Sequence, residues 1–249
     1  MNDDHFDLRD CGTLLRRDAP LVAKVLQMAN SSVYSPVERV GSLEQAISIV
    51  GLAEIYRLVG MIASNQLADQ TIRLYPIEAS NLRFNTLFVA LLMEEMAKFS
   101  GESPRRCYVI GLLRPIGMAT LEIMGRKNPT IVPFQESGAK RLDEWEQEVW
   151  GTTNVIVAEQ VLKAWNLPLE TVVAIRHHYA PEGMHCPIVH ILHLAATAAY
   201  ERGCGIEGEE GYWNPSADTL AKAGLSTTAF QMACQRASES YARMRQADI

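Results

Sequence analysis

The sequence predicts an all-α fold, and three observations carry that prediction. Apolar residues recur at helical spacing from end to end of the 249 residues. Aromatic residues are sparse at 7%, while Leu, Ala, Met and Ile are plentiful, a balance that favours helix over sheet. No segment sustains the apolar–polar alternation of a strand, and no internal repeat is present.

Each helix can be justified in order. Behind Asp18 as a cap, Leu21, Val22, Val25, Leu26 and Ala29 share one face. Ser42-Leu43-Glu44-Gln45 has capping-box spacing, and Leu43, Ala46, Ile47 and Val50 follow as a stripe. Gly51 stops that helix, and Leu52, Ile55, Leu58, Val59 and Ile62 begin another. A long helix is expected over residues 80–99, with Phe84, Leu87, Phe88 and Leu91 on one side. Ser103-Pro104 opens a helix that runs to Met124, kinked at Pro115. Residues 127–138 hold two prolines and a glycine and read as a loop. Helices follow over 141–150, 153–165, 169–179 and 187–201, with Asn166-Leu167-Pro168 as punctuation. The glycine- and acid-rich run 203–215 reads as an exposed loop, and 227–244 as a final helix.

Composition narrows the function classes. Hydrophobic content is 48% and charged content 21%, as in ordinary globular proteins. A net charge of -6 with no basic arm argues against general binding to nucleic-acid phosphates. Cys11, Cys107, Cys186, Cys204 and Cys234 are odd in number, scattered and without a C-x-x-C, so neither a disulfide framework nor a zinc ribbon is indicated. A reducing cytoplasm fits that usage. The acidic start Met1-Asn2-Asp3-Asp4 does not read as a signal peptide, and no uninterrupted apolar run is long enough to span a bilayer. No Ser-His-Asp, Cys-His or phosphate-loop pattern has a credible context.

Three stretches carry a family resemblance. Asp18-Ala19-Pro20-Leu21 through Ala29-Asn30-Ser31 is similar to the opening motif of HDOD domains, bacterial signalling relatives of the HD superfamily that lack its metal centre. Ser42-Leu43-Glu44-Gln45-Ala46-Ile47 with Val50-Gly51-Leu52 resembles their second motif. Gly111-Leu112-Leu113-Arg114-Pro115-Ile116-Gly117 resembles the G-L-L-H-D-I-G of HD phosphohydrolases, with Arg-Pro in place of the metal-bridging His-Asp. The resemblance runs over residues 14–199. It implies a multi-helical HD-like bundle with an N-terminal helical lobe. It divides a single HDOD domain over 1–249 into a lobe (1–70), a degenerate HD-like core (76–203) and a loop with a C-terminal helix (204–249). A soft boundary falls at residues 69–76.

Position by position, the resemblance implies a dismantled metal centre. Asn154 of Gly151-Thr152-Thr153-Asn154 stands where HD enzymes carry a ligand histidine, and Ala196 of His193-Leu194-Ala195-Ala196 where they carry a closing aspartate. Ile175-Arg176-His177-His178 resembles their I-x-x-H-H. Arg is always cationic and Pro offers no ligand atom, so both acidic ligands are gone. What remains implies a vestigial pocket of Arg114, Asn154, Arg176, His177 and His178. A guanidinium where metals once sat suits an anion such as phosphate, unless a local carboxylate takes it or it reaches solvent.

Five of the six histidines lie between His177 and His193. One reading is a repurposed metal site of His177, His178, His190 and His193, since His190 and His193 share a helix face. The other, favoured, is structural, because no carboxylate or cysteine completes a recognised ligand spacing and Cys186 beside His185 is the one nearby soft ligand. Expected overall are a non-catalytic signalling module, no cofactor, protein partners, and no nucleic acid or membrane. The oligomeric state is left open. The alternatives are a phosphohydrolase using the histidines, or a sensor of a small anion or nucleotide.

Overall fold

The computed structural model describes residues 73–247, apart from 76, 127, 138, 140, 165 and 166. The expected N-terminal lobe, its two signature motifs and most of the 69–76 boundary lie outside the described residues. Among the described residues the fold is all-α, with no β-strand.

The helix α1 (Ala79–Ser100) ends where Gly101 adopts a left-handed conformation at φ 79°, as helix C-termini favour. The next helix, α2 (Pro104–Leu113), starts with Pro in its first turn, and the Ser103 hydroxyl accepts from the Arg106 amide. The expected kink at Pro115 is a full break. α2 stops at Leu113, Arg114 and Pro115 form a turn, and α3 (Ile116–Gly125) resumes. Pro115 has no amide hydrogen to continue the ladder, which is the physical reason. The stretch Pro104–Gly125, taken across that break, is long and apolar enough to cross a membrane by length and composition. The sequence reading recognised no such run; 89% of its most apolar window is buried inside the fold.

The loop after α3 contains a single helical turn, α4 (Phe134–Ser137). Then come α5 (Leu142–Trp150), α6 (Asn154–Ala164), α7 (Leu169–His177) and α8 (Pro187–Ala199). In α8 every residue from Ile188 to Ala199 is buried, so it is the central helix of the described region. α1 packs against α2 and α8, and α6 against α3 and α7. A π-turn, Tyr200–Cys204, leads out of α8 into a strap and a short 3-10 turn, Glu210–Tyr212. A six-residue helix, α9 (Ala217–Lys222), was not expected; Ser216 and Thr219 form its capping box. The last helix, α10 (Thr227–Ala247), packs on α1.

The exposed loop expected over 203–215 is corrected here. Ile206, Gly208 and Glu209 are buried, with Ile206 and Glu209 each 1% exposed. Tyr212 and Trp213 are half-buried and stack inward. The strap thus keeps an exposed outer side at Glu207, Glu210, Gly211, Asn214 and Pro215 while Ile206, Gly208 and Glu209 pin it into the core.

Two glycines of the 111–117 motif explain the local packing. A Cβ at Gly111 would come 2.5 Å from the Ala90 Cα, so α1 and α2 touch backbone to backbone. A Cβ at Gly117 would overlap the Asn154 carbonyl, so α3 and α6 do the same. These contacts hold the Arg114–Pro115 turn at the centre of the bundle.

Candidate functional site

The centre is built around Arg114, which is 3% exposed. Its Nη2 donates to Glu209 from the strap, and its Nη1 donates to Asn85 Oδ1 on α1 at 2.9 Å. Its Nε donates to His178 Nε2, at the end of α7, at 3.2 Å. Three segments far apart in sequence thus converge on one guanidinium, with one partner at each of its three nitrogens. The other Glu209 oxygen accepts from the Tyr179 hydroxyl at 2.5 Å. Trp213 lies 5.5 Å from the Arg114 guanidinium carbon, a cation–π contact, and Tyr179 stacks on Tyr212 at 4.3 Å.

Burial works against the Arg114 charge, but the adjacent Glu209 carboxylate outweighs it and raises the pKa above its ordinary value. Burial pushes the Glu209 carboxyl upward, while Arg114 and Tyr179 pull it back. A guanidinium keeps its proton in proteins, and its charge beside Glu209 favours the ionised carboxylate against burial. Burial, then the Arg114 charge, holds His178 well below the usual imidazole range. His178 Nδ1 meets the Ile175 carbonyl at 2.8 Å, which puts the proton on Nδ1 and leaves Nε2 as the acceptor for Arg114.

The other residues expected in the pocket are elsewhere. Asn154 begins α6 and faces Glu146 of α5, to which its backbone amide donates at 2.7 Å and its side-chain amide at 3.0 Å. Tyr75 donates its hydroxyl to the same carboxylate at 2.7 Å. Arg176 pairs with Glu159 at 3.0 Å on a half-exposed face. His177 is half-buried at the end of α7. Of the five residues expected together, the structure joins only Arg114 and His178. On Arg114 the structure shows the local-carboxylate outcome: Glu209 of the strap sits on the guanidinium.

The alternative metal set is not assembled. His190 Nε2 meets the Met184 carbonyl at 2.9 Å, and His193 Nδ1 meets the His178 carbonyl at 2.8 Å. His178 has both nitrogens engaged, by Ile175 and Arg114, and offers no free lone pair; His190 and His193 each keep one unpartnered nitrogen. Among the described residues no group of three or more His, Cys, Asp or Glu could hold a metal ion. A buried guanidinium at the centre would also repel a divalent cation. The residues therefore do not fit the metal of the HD enzymes.

Sequence reasoning missed Glu209, Glu146, Tyr179 and Trp213. Glu209 is 95 positions from Arg114, and no local pattern links them. The one available signal was apolar and aromatic residues, Ile206, Tyr212 and Trp213, set within a run that otherwise looks solvated.

The HDOD domain profile matches residues 1–181. The chain belongs to the HDOD family. Similar solved structures share its fold at low identity. An HDOD domain protein of unknown function from Geobacter sulfurreducens is 21% identical, with a TM-score of 0.54 over 99% of this chain and 87% of that one. The MmoQ response regulator from Methylococcus capsulatus is 18% identical, with a TM-score of 0.52 over 93% of this chain and 90% of that one. A Shewanella amazonensis protein provisionally named a phosphohydrolase is 19% identical, with a TM-score of 0.52 over 96% of this chain and 84% of that one. No curated protein matches significantly. In this HDOD domain Gly111 and Gly117 sit at close helix contacts on either side of the Arg114–Pro115 turn.

Proposed function

We propose that this HDOD domain is a non-catalytic signalling module in bacteria that acts from the cytoplasm through contacts with protein partners. The observation that carries the reading is the Arg114–Glu209 ion pair at the motif where HD enzymes place metal-binding residues. Catalysis of that kind needs acidic oxygen ligands gathered on a cation and an open coordination position. Here the acidic group at the centre is spent on a guanidinium, and Asn154 is turned to Glu146. What remains is a well-packed helical frame, and the name of the Methylococcus neighbour, a response regulator, agrees with a signalling role.

Two measurements test it. Purified protein is assayed with manganese, iron, magnesium and zinc against cyclic dinucleotides, nucleotides and a chromogenic phosphodiester. The reading expects no metal-stimulated turnover; turnover lost in a His177→Ala, His178→Ala double variant would overturn it. Cross-linking in host cells then reads the contact half. One protein recovered reproducibly in proportion to this domain supports it, and recovery of none contradicts it.

A further inference from the structure

The Arg114 centre contains two polar atoms that its ion pair does not explain. His193 is 2% exposed and its Nε2 has no hydrogen-bonding partner; the Trp213 indole nitrogen is likewise buried and unpartnered. The two rings are neighbours, with centroids 5.6 Å apart, and Trp213 also sits against Arg114 and His178. Because His193 Nδ1 gives its proton to the His178 carbonyl, Nε2 presents a lone pair. The indole presents a hydrogen. A buried acceptor and a buried donor, on neighbouring rings and each left unpaired, each carry a desolvation cost.

The same space already shows how it treats a carboxylate. The Glu209 group is gripped at one oxygen by the guanidinium and at the other by the Tyr179 phenol. That is a carboxylate-binding site made of a charged fork and a hydroxyl, walled by Trp213 and Tyr212. A hydroxyl both donates to an imidazole lone pair and accepts from an indole hydrogen, and it needs only a single atom to do so.

We propose that Arg114, Tyr179, His193 and Trp213 form a site for a small hydroxycarboxylate, which the chain occupies with its own Glu209 carboxylate. The ligand's carboxylate takes the place of Glu209 on Arg114 and Tyr179. Its hydroxyl bridges His193 Nε2 and the Trp213 N–H. Entry therefore requires the strap over residues 205–213 to withdraw its carboxylate, which links occupancy of the centre to the surface of the strap. The inference stands apart from the protein-contact reading, since a partner could dock whether or not the centre binds a ligand.

The test vacates the site. Thermal unfolding of Glu209→Ala is followed in sodium chloride, acetate and glycolate at matched ionic strength. Acetate is expected to raise the melting temperature saturably, chloride not at all, and glycolate more than acetate. Adding Arg114→Met abolishes both carboxylate responses. Adding His193→Phe instead abolishes only the margin of glycolate over acetate. Glu209→Gln, whose carboxamide still fills the site, responds to none of the three. If Glu209→Ala does not fold unaided, its refolding yield in the same salts is the readout. A response equal in all salts, or one that survives Arg114→Met, overturns the site. Equal responses to acetate and glycolate overturn the hydroxycarboxylate assignment.

Discussion

Glu209 and Glu146 are both sealed from solvent, and they are held by opposite means. Glu209 faces a guanidinium. Glu146 is 0% exposed and faces only neutral donors: the Tyr75 hydroxyl and the backbone and side-chain amides of Asn154. Burial pushes the Glu146 pKa up to about 7, against the pull of those donors, and the nearby Glu209 adds to the rise. A formal opposite charge keeps one carboxylate ionised at the centre of the bundle. Dipoles alone leave the other poised to take up a proton near neutrality. The difference teaches that Arg114 and Asn154 anchor two hydrogen-bond networks, one charged and one neutral, that still feel each other through the Glu209 and Glu146 carboxyls.

The largest expected effect comes from breaking the charged pair on one side. Arg114→Ala or Glu209→Ala leaves a buried charge without its partner and should cost about 3–5 kcal/mol in denaturant unfolding. Replacing both residues by apolar side chains of similar size should cost far less, because the desolvation of both charges disappears together. A single variant within about 0.5 kcal/mol of wild type would erase the contrast between the two carboxylates.

The second effect sharpens the contrast through pH. The Glu146 pKa is raised in the folded state, so between about 4.3 and 7 the folded protein holds a proton that the unfolded chain has lost. Stability from this group is therefore greatest in acid and falls as pH rises through that window, by roughly 4 kcal/mol at about 1.4 kcal/mol per unit. His178 and His193, whose pKa values are lowered by burial first, act in the other direction: the unfolded chain takes up their protons more readily as pH falls below the ordinary imidazole value. The difference in stability between wild type and Glu146→Gln isolates the first contribution. It should slope across pH 4.3–7 and flatten above; a flat difference would mean that Glu146 stays ionised like Glu209.

Next in size is the frame that both networks share. Gly117→Ala would drive a methyl into the Asn154 carbonyl and should cost about 1–3 kcal/mol or more by thermal unfolding, as other overpacked contacts do. It should disturb the Glu146 network more than the Arg114 centre, because Asn154 belongs to the former. At the small end, Glu170→Ala removes the exposed partner of Arg106 and should change stability by less than about 1 kcal/mol.

How far the sequence could be read depended on whether the signal was local. α1 was expected over 80–99 and forms at Ala79–Ser100, because its apolar stripe and Gly101 are neighbours in the chain. α5, α6 and α8 were legible for the same reason, and so was the interruption at Pro115. α9 is too short for periodicity to reveal, although its Ser216 and Thr219 cap was present in the sequence. The centre was legible by half. Arg114 stood out because it broke a motif, and the local-carboxylate outcome for it was one of the readings. Its partner was hidden, because glycines and acidic residues look alike in a solvated loop and in a strap pinned by one buried carboxylate. Asn154 was placed in the wrong network because sequence position names the helix it begins, not the side chain that helix faces.

The account depends on Arg114 and Glu209 acting as one closed unit, and a double-mutant cycle measures that directly. Arg114→Met, Glu209→Gln and the double variant are unfolded in denaturant alongside wild type. The account predicts strong coupling, with the double variant more stable than the summed single effects by on the order of 2–3 kcal/mol. Single effects that add to within about 0.5 kcal/mol would mean that the two residues are independent, and that the centre of this HDOD domain is not closed by an ion pair.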